Sequence, residues 1–181
     1  MLEGETHLSQ LSTLITKEEI ENRVAELAAE IREDYLGKNP LLLGILKGSF
    51  VFMSDLIRKL NIPLEIEFIR LSSYGAGKEP SNRIRLVHGI NVPLKDRHVL
   101  IIEDIVDTGL TVRYLHDYLS RKRPSSIKLC TLFDKPSRRV VDVTVDYLGF
   151  KVPDNFVVGY GIDFDEKFRY LPDLCIMEGQ V

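Results

Sequence analysis

The sequence predicts an α/β fold in which helices flank a mostly parallel sheet. Short apolar runs of strand length alternate with amphipathic helical repeats, which implies right-handed βαβ units. One of those runs, Val99–Ile102, also passes into carboxylates and a glycine turn that opens a helix. In open α/β sheets such turns lie beyond the carboxyl ends of the strands, where ligands bind.

The first helix announces itself at Thr16-Lys-Glu-Glu19, a capping box in which the Thr hydroxyl and the Glu side chain satisfy orphan N–H groups. Ile20, Val24, Leu27, Ala28 and Ile31 then recur with helical spacing, so the helix runs to near Gly37. Pro40–Leu46 is a continuous apolar run, as expected of a strand buried on both faces. A turn at Lys47-Gly48-Ser49 leads into a helix from Phe50 to Leu60. Leu64, Ile66 and Phe68 alternate with Glu65 and Glu67 in a half-exposed strand that ends about Leu71. Ser72 to Asn82 carries Gly, Pro, Ser and Asn with no apolar period, and is expected to be a long hairpin loop acting as a mobile lid. Ile84–Ile90 returns as a strand, His98–Ile102 is buried, Leu110–Leu119 is helical, and Ile127–Phe133 is a strand again. Val140–Phe150, Phe156–Ile162 and Leu174–Met177 complete the series.

The chain has 181 residues, 44% of them apolar and 28% charged, a composition that supports one domain, 1–181, with a proper core. With 24 Lys+Arg against 27 Asp+Glu the formal charge is −3, unlike proteins that wrap duplex nucleic acid. No apolar run is long enough to span a membrane, and no secretory signal is visible at the start. Cys130 and Cys175 lie far apart with no metal-ligand spacing, so they read as isolated thiols in a reducing, cytoplasmic setting.

The stretch Val99-Leu-Ile-Ile-Glu-Asp-Ile-Val-Asp-Thr-Gly-Leu-Thr111 carries the most chemistry. Gly109 permits close backbone approach, Thr108 and Thr111 supply hydroxyls, and Leu110 opens a helix whose free N–H groups form a phosphate cradle. Glu103 and Asp104 are acceptor-only groups suited to neighbouring hydroxyls, as on a ribose, or to a bound Mg²⁺. The GxxxxGK[ST] pattern of a Walker A loop is absent.

The segment Glu103-Asp104-Ile-Val-Asp107-Thr108-Gly109-Leu-Thr111 resembles the phosphoribosyl-pyrophosphate (PRPP) motif of type I phosphoribosyltransferases. More narrowly, the chain resembles the hypoxanthine-guanine phosphoribosyltransferases. The likeness extends through Leu46-Lys-Gly48, Arg70-Leu-Ser-Ser73-Tyr74, Leu132-Phe-Asp-Lys135, Phe156-Val157-Val-Gly-Tyr-Gly-Ile-Asp163 and Phe168-Arg169. It implies the fold of that family, with a small hood and a mobile loop beginning at Ser73 and Tyr74. It also implies Mg²⁺ as cofactor, with PRPP, hypoxanthine and guanine converted to IMP or GMP and pyrophosphate, in a homodimer or homotetramer. An interface would use the helix after Lys47-Gly48-Ser49.

The same resemblance assigns roles. Asp107 through Thr111 would hold the 5′-phosphate, and Glu103 and Asp104 the ribose hydroxyls with Mg²⁺ nearby. Asp107 would exchange a proton with purine N7, and helix capping is compatible with that role. Lys47 and Gly48 would meet pyrophosphate, on a Leu46–Lys47 peptide that the family can hold in cis. Lys135 would donate to a purine carbonyl, favouring 6-oxopurines over adenine. Phe156 would stack on the base, Val157 would read its edge through the backbone, Asp163 would bind a second Mg²⁺, and Arg169 would reach pyrophosphate. A xanthine-preferring enzyme and a PRPP-sensing RNA-binding regulator remain alternatives. Asp107 and the shortness of the N-terminal segment count against the regulator, and Arg121-Lys-Arg123 and Arg138-Arg139 read as solvated faces or subunit contacts.

Overall fold

The computed structural model describes residues 11–74 and 83–178. Its elements are β1 (Leu11–Ile15), α1 (Lys17–Tyr35), β2 (Leu41–Leu46), α2 (Phe50–Leu60), β3 (Glu65–Tyr74), β4 (Arg83–His88), β5 (His98–Val106), α3 (Leu110–Ser120), β6 (Ser126–Asp134), β7 (Tyr147–Lys151), β8 (Val157–Val158) and β9 (Leu174–Met177). Six strands form one sheet in the order β4-β3-β2-β5-β6-β7, parallel throughout except for β4 against β3. The other three form a small antiparallel sheet, β1-β9-β8, which is the expected hood.

Strand alternation sorts the core into two layers. Leu42, Leu100 and Ile102 face α1 and α2, whose buried residues Ile20, Val24, Leu27, Ile31, Phe52 and Leu56 complete that layer. Leu41, Leu43, Ile45, Val99 and Ile101 face α3, where Val112, Leu115 and Leu119 meet them. The capping box forms as the sequence predicts: Thr16 Oγ1 accepts from Glu19 N–H at 3.3 Å, and Glu19 Oε2 accepts from Thr16 N–H at 2.8 Å.

Several boundaries differ from the sequence reading. β3 continues through Ser72 and Ser73 to Tyr74 because those residues pair with Arg85, Ile84 and Arg83 across an antiparallel ladder, which their polar side chains do not advertise. The expected lid thus keeps only residues 75–82, which lie outside the described residues. β5 runs past Ile102 to Val106, so Glu103 and Asp104 are strand residues and not part of the turn. β1, which packs its Ile15 into the core, was not apparent as a strand in the sequence. Of Val140–Phe150 only Tyr147 to Phe150 is strand, continuing to Lys151, and of Phe156–Ile162 only Val157 and Val158.

Candidate active site

The order of strands places the site. The chain leaves β2 toward β3 on one side and returns to β5 on the other, so a crevice opens between the carboxyl ends of β2 and β5, the switch point where open α/β sheets bind ligands. A cleft of about 270 Å³ lies there, bordered by Leu46, Lys47, Gly48, Glu103, Asp104 and Thr111, with Ser72 of β3 at its edge. Larger hollows elsewhere have no part of the acidic-glycine loop in their walls.

Beyond β5 the backbone turns at Gly109, whose φ of 83° is the left-handed conformation that glycine accepts most readily. Gly109 is the N-cap of α3 and no side chain caps that end. Thr108 Oγ1 accepts a long hydrogen bond from Leu110 N–H at 3.4 Å, and among the described residues no other side chain reaches the N–H groups that follow. Asp107 makes no cap hydrogen bond to the start of α3. The start of α3 is left with free N–H donors and the positive end of its dipole beside the cleft.

Glu103 and Asp104 both border the cleft at the carboxyl end of β5. Glu103 is buried and its Oε2 has no hydrogen-bond partner. Burial, then the neighbouring Asp104 charge, pushes its carboxyl well above the usual carboxylate range. Asp104 is pushed up to about 6, chiefly by burial, against hydrogen bonds from backbone N–H groups and the attraction of Arg169. An orphaned carboxylate beside a second one suits a hard cation, or hydroxyl donors. Mg²⁺ takes one or two carboxylates and fills its other positions with water and substrate oxygens, so this pair fits it. Among the described residues no three acidic, His or Cys side chains converge as a metal cage.

The Leu46–Lys47 peptide is cis. The next residue, Gly48, packs so closely that a Cβ there would run into the Asp104 carboxylate, and one at Gly161 would run into the Gly48 carbonyl. Arg169 donates from Nη1 to the Gly161 carbonyl at 2.8 Å and pairs with Asp163 at 2.7 Å. The Glu166 carboxylate lies between two cations, 2.7 Å from Lys47 Nζ and 3.3 Å from Arg169. Lys47, Gly48, Asp163 and Arg169 thus converge on one side of the acidic pair.

Lys135 lies on the other side. It follows β6, its N–H donates to the Val106 carbonyl at 2.9 Å, and its Nζ donates to the Asn155 carbonyl at 2.5 Å. Burial lowers its pKa. Phe156 follows Asn155, is 38% exposed, and meets Phe164 edge to face at 5.3 Å, while Val157 is buried. Asp107 lies between this group and the phosphate loop: Arg138 Nε is 2.9 Å from its Oδ1, although that oxygen receives no aligned hydrogen bond. Arg70 is exposed on β3 and lines no part of the cleft, and the side chains of Ser73 and Tyr74 lie outside the described residues.

Sequence reasoning missed Arg138, Arg139 and Glu166. Arg138 is exposed and pairs with Asp107, whereas Arg139 is mostly buried and pairs with Asp134. The closeness of this basic pair to Lys135 was the available signal.

The family model of the phosphoribosyl transferase domain matches residues 11–165. A hypoxanthine phosphoribosyltransferase of Haemophilus influenzae is 45% identical over 164 residues, covering 89% of this chain and 92% of its own. A hypoxanthine-guanine phosphoribosyltransferase crystal structure from Bacillus anthracis aligns with a TM-score of 0.86 at 44% identity, over 91% of this chain and 97% of that one. A Staphylococcus aureus hypoxanthine phosphoribosyltransferase structure aligns with a TM-score of 0.91 at 39% identity, over 98% and 97%. A type I phosphoribosyltransferase sheet, the acidic-glycine loop at its switch point and these likenesses agree, and the chain belongs to the phosphoribosyltransferase family as an enzyme of the hypoxanthine-guanine type.

Proposed function

We propose that this enzyme transfers the 5-phosphoribosyl group of PRPP to N9 of hypoxanthine or guanine, forming IMP or GMP and releasing pyrophosphate. The observation that carries this reading is the uncapped start of α3 behind Gly109, set beside the orphaned Glu103 oxygen at the switch point. One arm suits a phosphate, the other a polyhydroxyl or metal-bearing substrate, and few ligands carry both.

The placement of the site residues supports the following roles. N–H groups and hydroxyls from Asp107 to Thr111 bind the 5′-phosphate, with Leu110 and Gly109 contributing backbone only. Glu103 and Asp104 would hold Mg²⁺, which when bound would offset charge on the departing pyrophosphate. Lys47, the Gly48 backbone and Arg169 receive the pyrophosphate oxygens, and Glu166 gives up its two cations as they do so. Asp163, now paired with Arg169, orients that guanidinium and reaches the water shell of a second cation. Lys135 donates to the purine 6-oxygen in place of the Asn155 carbonyl it now meets, and Phe156 offers an apolar face to the ring. The Val157 backbone reads the purine edge. Asp107 holds the N7 proton while N9 attacks the anomeric carbon, and electrostatic stabilisation of the leaving group supplies the rest.

We infer in addition a homodimer or homotetramer. Phe50, at the start of α2, and Tyr170 expose large apolar rings at 46% and 76% around one shallow groove, which a second copy would cover. Sedimentation velocity distinguishes this from a monomer.

Steady-state turnover with PRPP and each of hypoxanthine, guanine, xanthine and adenine tests the reaction. Hypoxanthine or guanine is expected to be the better substrate, adenine to be inert, and chelation of Mg²⁺ by EDTA to abolish turnover. In the same assay Asp107→Asn is expected to lose about 10²–10⁴ in kcat while still binding nucleotide. Failure with all four purines overturns the reading.

A further inference from the structure

The segment after β6 braces the phosphate loop from behind. Lys135 N–H donates to the Val106 carbonyl at 2.9 Å. Arg139 Nη1 donates to the Asp107 carbonyl at 2.8 Å. The N–H groups of Val140 and Val141 both reach the Thr108 carbonyl, at 3.0 and 3.2 Å. Three successive loop carbonyls are therefore held by one strap. A Cβ added at Gly109 would strike the Val141 carbonyl and crowd the Arg139 side chain, so strap and loop are in direct contact.

In a trans peptide the carbonyl of one residue and the N–H of the next are coplanar and point opposite ways. Fixing the carbonyls of Val106, Asp107 and Thr108 behind the loop therefore aims the N–H groups of Asp107, Thr108 and Gly109 away from the strap. The backbone bonds on either side of the Asp107 carbonyl need no particular side chain. The middle one depends on Arg139, whose second nitrogen pairs with the Asp134 carboxylate, their side chains being 15% and 8% exposed. A guanidinium fork can hold a carbonyl and a carboxylate together; an ammonium is a point charge without that planar geometry.

We propose that Arg139 is the positioning residue of the phosphate loop. By holding the Asp107 carbonyl it aims the Thr108 N–H at the 5′-phosphate before substrate arrives. The proposal rests on the phosphoribosyl reading above. Arg139 touches no reacting atom; it acts through the loop.

The test is calorimetric binding of ribose 5-phosphate to the full chain, beside steady-state kinetics with PRPP and guanine. Arg139→Gln keeps a polar end near Asp134 but is too short for the carbonyl, and Arg139→Lys keeps the charge without the fork. Both are expected to weaken ribose 5-phosphate and raise the PRPP KM about tenfold, with the guanine KM within about twofold and kcat falling less than KM rises. Wild-type affinity in Arg139→Gln overturns the proposal. So does full rescue by Arg139→Lys, which would make the role one of charge alone, and so does equal weakening of purine and phosphate. If neither variant accumulates folded, Asp134→Asn decides: a shift in the same direction of about threefold supports the brace, and none overturns it. Wild-type protein that neither binds ribose 5-phosphate nor turns over PRPP fails the phosphoribosyl reading itself, a result distinct from unaffected variants.

Discussion

At Gly48 the missing side chain leaves the space that the Asp104 carboxylate occupies. That carboxylate is costly in the unliganded protein, because burial pushes its pKa up to about 6 from an ordinary value of 3.8. A raised carboxyl pKa means the folded chain holds the proton more tightly than the unfolded one. Stability from this group is therefore greatest below about pH 4, falls as pH rises through about 6, and stays lower above that. Asp104→Asn is expected to remove the fall. At pH 7.5, without ligand, the variant should be more stable than wild type by about 1–2 kcal/mol, a Tm gain of about 2–8 °C. The difference should vanish near pH 4, and equal melting temperatures at both pH values would contradict the assignment. Glu103 shifts in the same direction for the same reason. The sequence made both acids visible because they follow an apolar strand. It hid Arg139, since an arginine in a basic pair looks alike whether its partner is water or a carbonyl 32 residues away.

The first helix was fully legible. Its cap and its buried face of Ile20, Val24, Leu27, Ala28 and Ile31 are local patterns, and the fold adds Lys17 N–H donating to Asp173 at 2.6 Å, which ties that end to the hood. Thr16→Ala is expected to cost about 1 kcal/mol, lowering Tm by about 2–4 °C, with kcat and both KM values unchanged. Thermal melts and turnover on one preparation check this, and a large loss of activity would place the cap in the site's mechanics. Val140–Tyr147 was less legible. Val141, Val143 and Val145 alternate with polar residues as a strand would, and they do pack partly into the α3-side core or against Gly109. Yet the N–H groups of Val140 and Val141 are spent on the Thr108 carbonyl, so the segment braces a loop and forms no ladder there. Alternation reports which face is apolar, not what the backbone bonds to.

Across the whole molecule, the two thiols belong to different parts of the core. Cys130 is fully buried between the sheet and α1, and Cys175 lies in the hood. Burial pushes both pKa values up. Cys130 is therefore expected to react with an aromatic disulfide reagent at least about 100-fold more slowly than a free thiol, and to become reactive only as the chain unfolds. Labelling followed by mass spectrometry along a urea series checks this; rapid modification of Cys130 in native protein would contradict the core assignment. Among the described residues no helix is long and apolar enough to cross a membrane.

The sequence by itself determined the alternation of strands and helices and the chemistry of the acidic-glycine loop. Both are written in short-range periodicity and in residue types that have few other uses side by side. Only the tertiary structure decided that β2 lies next to β5, which sets Gly48 against Asp104, and that the residues after Lys135 run behind the loop. Those outcomes depend on which strand edges pair and which faces bury. They are settled by packing and hydrogen bonds between residues far apart in the chain, and no local pattern encodes that choice.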